Sequence, residues 1–71
     1  MLNIKRVREL ARERGFPETG LADALMRALA REGVAVAHQT VSGWLRGAYE
    51  PAGRKLLALA RVLGCKPEDL L

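Results

Sequence analysis

Gln39, Ser42, Gly43 and Arg46 recur at i, i+3, i+4 and i+7, the spacing of one helical face. On a wheel of about 100° per residue, Ala37, Val41, Trp44, Leu45 and Ala48 take the other side. The polar side is unusual for a face that only meets water. It holds no acid, has small residues in its middle, a flat amide near its start and a cation at its end. A glutamine amide can bond N7 and N6 of adenine together, a glycine removes bulk where a groove wall would approach, and an arginine meets phosphate or guanine. The set therefore suits close approach to base edges in a polyanion. His38, in the first turn of the same segment, either stands in solvent or touches a phosphate or base.

Other chemistries find little to work with. His38 is the only histidine and Cys65 the only cysteine, so neither an internal disulfide nor a Cys/His zinc site can form within one chain. No serine or cysteine has a convincing base partner, and there is no glycine-rich phosphate loop. No catalytic residue, metal ligand or cofactor is expected, and the chain does not read as an enzyme. Cys65 reads as a small apolar residue rather than a redox group.

The elements that hold this face follow from caps and stops. A first helix is expected over residues 3–14, with Asn3 as its N-cap, Ile4, Val7, Leu10 and Ala11 inward, and Gly15 beyond its end. Pro17 suits the first turn of a second helix, whose stripe of Leu21, Leu25, Ala28 and Leu29 runs as far as Glu32 before Gly33 stops it. Residues 33–37 connect to the third helix, residues 38–46, closed by Gly47; Trp44 belongs to its core side. After a loop through Tyr49 and Pro51, a fourth helix begins near Gly53, turns Leu56, Leu59, Ala60 and Leu63 inward and ends at Gly64. A fifth, short helix or turn opens at Pro67, with Glu68 and Asp69 where the dipole favours negative charge. The fold class is thus all-α, a compact five-helix bundle forming one domain over residues 1–71.

Nearly half the residues are apolar (49%), too many for a disordered chain. No apolar run reaches the roughly 18 residues of a membrane span, and the N-terminus runs into Lys5, Arg6 and Arg8 rather than a signal peptide. A soluble chain of a reducing cytoplasm is expected, with no membrane contact. Twelve Lys and Arg against eight Asp and Glu leave a net charge of +4, concentrated in residues 1–16 and 33–66. That surplus either meets a nucleic acid or simply keeps a small protein soluble. Arg54 and Lys55 are more telling. Cations in the first turn of a helix oppose its dipole, and a phosphate bound there would reverse the sign. Arg6, Arg8, Arg12 and Arg14 line the same side or pair with Glu9 and Glu13.

The run HQTVSGWLRG, then Pro51, then LLALARVLGCKPEDLL resembles the recognition helix and C-terminal half of the phage repressor and Cro-like helix-turn-helix family. RERGFPETGLA resembles the end of that family's first helix and the start of its second. The resemblance implies a lambda-repressor-like bundle whose third helix lies in the major groove of double-stranded operator DNA. Carried over by position, it makes His38, Gln39, Ser42 and Gly43 base-reading residues. Thr19, Thr40, Arg46, Arg54 and Lys55 become contacts to the DNA backbone. Three departures stand out: Glu18 replaces a neutral amide, Ala37 replaces the usual Ser or Thr cap, and Gly43 leaves a reading position blank.

A fourth departure is extra length, MRALAREGVAVA, after Leu25. Residues 26–32 keep the apolar stripe in phase for about two turns. An extended second helix is expected, projecting past the core, with Val34 and Val36 covering its underside and Arg27 and Arg31 flanking the groove or a partner subunit.

The resemblance implies a prokaryotic or phage-encoded, Cro-like transcription regulator or repressor that binds its operator as a homodimer. An antitoxin-like or bridging protein–protein interaction module on the same fold is the alternative, with Leu70 and Leu71 expected exposed for a possible protein partner. Salt dependence separates the two, because phosphate-driven binding weakens linearly in log salt.

Overall fold

The computed structural model describes residues 1–71 and contains no strand. Four α-helices follow one another: α1 (Ile4–Glu13), α2 (Leu21–Arg31), α3 (His38–Arg46) and α4 (Arg54–Leu63). The expected fifth helix is instead one 3₁₀ turn, Pro67–Leu70, in which the Asp69 carboxylate accepts from the Lys66 N–H at 3.1 Å. That correction has a local cause: the side chain closes the turn on itself, and Leu70 then drops into the core.

Each helix is bounded by signals within one turn of its ends. The Asn3 side-chain oxygen accepts from the Arg6 N–H at 3.0 Å, capping α1 as expected. The start of α2 departs from expectation. Residues 17–20 form a turn, and the helix begins at Leu21 because Gly20 sits in the left-handed region at φ +74°. No right-handed helix can pass through such a residue, whatever Pro17 permits.

At its other end α2 runs unbroken through the extra segment to Arg31, with Ala28 and Leu29 buried and Met26 packed against the core. The Val34 N–H returns to the Leu29 carbonyl at 3.0 Å and Val34 is buried beside it. The expected projection does not occur. Eleven residues span about 16 Å, which fits inside a molecule measuring 23 × 22 × 22 Å.

One apolar core joins all five elements, and no polar or charged side chain is buried in it. Val7, Leu25, Leu29, Val41, Leu59, Leu63 and Leu70 are its most deeply buried large side chains. Helix α2 packs on α3 and α4, while α1 closes the bundle against α3, α4 and the terminal turn. Leu70 is fully buried rather than exposed, and its carbonyl accepts from the Asn3 N–H at 2.7 Å. The two ends of the chain are thereby tied together. Only Leu71 of the terminal pair stands in solvent, at 61% exposure.

Candidate nucleic-acid interface

Helix α3 is held by what it buries. Val41 and Trp44 lie in the core and Leu45 packs against it, so the helix can present only its remaining sides. Its C-terminal end is clamped by α1: the Arg8 guanidinium donates to the Leu45 carbonyl at 3.4 Å, and Ile4 lies against Gly47. Gly47 then reverses the chain at φ +78°, with its own N–H bonding the Trp44 carbonyl at 3.1 Å and the Ala48 N–H bonding the Gly43 carbonyl at 2.9 Å.

The outward side carries His38, Gln39 and Arg46 exposed, with Thr40 and Ser42 half-buried along its margins. No acid interrupts it. Gly43 is different and requires correction. It does not leave an open gap for a groove wall, because the Tyr49 ring covers it and a Cβ there would overlap the ring. The ring itself is 58% exposed. Tyr49 is the residue the sequence reading missed. The available signal was a glycine inside a helix, which costs about 1 kcal/mol relative to alanine and usually marks a close approach.

The other candidate residues sit at helix starts. Thr19 is exposed in the turn before α2, and Arg54 and Lys55 occupy the exposed first turn of α4. The N-caps of α2, α3 and α4 are Gly20, Ala37 and Gly53, and none supplies a side-chain cap. The first turns of α3 and α4 contain no acid either. By contrast α1 has its Asn3 cap. Uncapped first-turn N–H groups with the positive end of a helix dipole behind them are a favourable place for a phosphate oxygen.

Some of the remaining charges are paired within the chain. Arg12 pairs with Glu18 at 3.5 Å, joining α1 to the turn before α2, and Arg6 pairs with Glu9 at 3.7 Å. Arg27 pairs with Asp23 at 3.1 Å on the same helix. These pairs are exposed and stabilise little. Arg14 lies over Gly64. Partial burial pushes the Cys65 thiol up, Asp69 adds to this, and Arg6 opposes it, so the thiol stays protonated. No group of three or more His, Cys, Asp or Glu side chains gathers to hold a metal, and no helix is long and apolar enough to cross a membrane.

Two short helices joined by a glycine-started connector, the second presenting a polar, acid-free side, define a helix-turn-helix unit. The chain belongs to the helix-turn-helix family, whose model it matches over residues 4–70. Over 36 residues it is 47% identical to DicA of Escherichia coli (strain K12), an HTH-type transcriptional regulator. That alignment covers 51% of this chain and 27% of DicA, so the likeness concerns about a quarter of that protein. No solved structure matches the chain at a significant level.

Proposed function

We propose that this protein is a sequence-specific, double-stranded-DNA-binding transcription regulator that lays α3 in the major groove. The observation that carries the reading is the condition of two helix starts. The first turns of α3 and α4 have neither a side-chain cap nor an acid, and α4 places Arg54 and Lys55 there against its own dipole. Isolated in water, that arrangement is unfavourable; against phosphate it is favourable. In this reading His38, Gln39 and Ser42 meet base edges. Thr19, Thr40, Arg46, Arg54 and Lys55 hold the phosphates on either side. Sequence preference comes from the first group and salt-sensitive affinity from the second.

The working unit is a homodimer on a pseudo-palindrome, acting in the cytoplasm where its operator lies. The likeness to DicA, itself named a transcriptional regulator, supports the regulatory role. Selection of bound duplexes from random DNA tests the whole reading. The expected result is an enriched inverted repeat whose half-sites lie about one helical turn apart. A pool that remains random after repeated rounds would remove the DNA-binding role.

A further inference from the structure

Tyr49 is placed as no ordinary loop tyrosine would be. Gly47 turns the chain back on α3, and the Ala48 and Tyr49 N–H groups both return to the Gly43 carbonyl, at 2.9 and 3.4 Å. The ring then lies on Gly43, so tightly that no larger residue fits beneath it. A glycine is unfavourable in a helix interior, and here the ring is what excludes a larger residue. Position 43 lies between Gln39 and Arg46 on the outward side of α3, and the ring from the following loop fills the place its side chain would take.

Two features argue that the ring is there to be used. A ring folded down only to bury itself would resemble Trp44, which is 3% exposed, whereas Tyr49 keeps more than half its surface in solvent. Its hydroxyl makes no hydrogen bond within the chain. What remains is a flat, apolar surface backed by Gly43, on the side of α3 that also carries Gln39 and Arg46. Among the groups lining a major groove, the one apolar feature is the 5-methyl of thymine.

We propose that Tyr49 is a specificity-determining residue whose ring contacts a thymine 5-methyl at the base step faced by position 43. The inference rests on the DNA-binding reading above. It is tested on the duplex selected by the wild-type protein. Each thymine of a half-site is replaced in turn by deoxyuridine, which differs only in lacking the methyl. Affinities are measured for the wild type, Tyr49→Phe, Tyr49→Ala and Gly43→Ala.

The wild type and Tyr49→Phe are expected to lose about fourfold at one thymine, the factor that burying one methyl-sized group is worth. Tyr49→Ala is indifferent at that position and binds the unmodified duplex more weakly by the same factor. Gly43→Ala, whose methyl displaces the ring, behaves like Tyr49→Ala. Thermal melts of the Tyr49 variants are expected to match the wild type, because the ring is mostly exposed. Tyr49→Ala retaining the wild-type sensitivity at every thymine overturns the proposal, as does a wild type indifferent to every methyl. Tyr49→Phe losing as much as Tyr49→Ala overturns it too, by assigning the contact to the hydroxyl. If the wild type selects no site at all, the DNA-binding reading fails first and this inference with it.

Discussion

Arg46 answers to a local rule as well as to the role proposed for it. Every α-helix of this protein has an arginine in its last turn: Arg12, Arg31, Arg46 and Arg61. Each complements the negative end of its helix dipole. The position of Arg46 is therefore explained without DNA, and its exposure alone says little about contact. Gln39 is the sharper case, since an exposed amide in the first turn of α3 neither complements the helix dipole nor caps the helix. Gln39→Ala should cost about 1–3 kcal/mol on the preferred duplex and relax the preference at one or two base pairs, with the fold unchanged. Competition binding against single-base variants of the selected site measures both. An undiminished preference would take Gln39 out of the reading surface.

At the scale of the element, the helix starts divide into two kinds. The α1 start is finished internally, with the Asn3 oxygen on the Arg6 N–H, and its value is conformational stability. Asn3→Ala should lower the unfolding free energy by about 1 kcal/mol in urea titrations, with no change in the slope of binding against salt. The α4 start is unfinished, with Gly53 as its N-cap and two cations following. Lys55→Ala should weaken binding to specific and random duplexes alike and reduce the log–log salt slope by about one. A variant keeping the full slope would mean that Lys55 is merely solvated. Opposite signatures in these two substitutions would separate a cap that serves the fold from a helix start that serves a ligand.

At the scale of the whole fold, the terminal turn and the number of copies on a site can both be tested. Leu70 is fully buried and bonded to Asn3, so the terminal turn is part of the core. Leu70→Ala should destabilise by about 2–5 kcal/mol, as deletions of buried leucine side chains do. Leu71→Ala, one residue later and exposed, should fall within about 0.5 kcal/mol of the wild type. Thermal melts of the two variants check the pair. The molecule is only 22–23 Å across, whereas one turn of DNA is roughly 34 Å. A lone copy can therefore cover little more than one half-site. Specific affinities near 10⁻⁸ M usually need more contact than that. Sedimentation with the selected duplex should show two protomers per site. One protomer on one asymmetric half-site would refute the dimer.

Local signals were legible in the sequence because the forces behind them act within one turn. The bounds of α3, the Asn3 cap and the inward placement of Leu25, Leu29, Val41 and Trp44 all follow from spacing and capping chemistry. The structure reproduces them. The run of α2 to Arg31 was legible for the same reason, since the added residues kept the phase of its stripe. Its start was not legible. Pro17 permits a helix start without requiring one, and the left-handed conformation of Gly20 depends on how the α1–α2 turn crosses the bundle. Leu70 and Leu71 look alike in a list of residues, and only the packing of the terminal turn against α1 and α4 separates them. Gly43 is the clearest instance. A helical wheel assigns it to the polar side but cannot know that a ring six residues later returns to cover it. Periodicity describes a helix alone; what lies on its surface is decided by the segments the tertiary structure brings back to it.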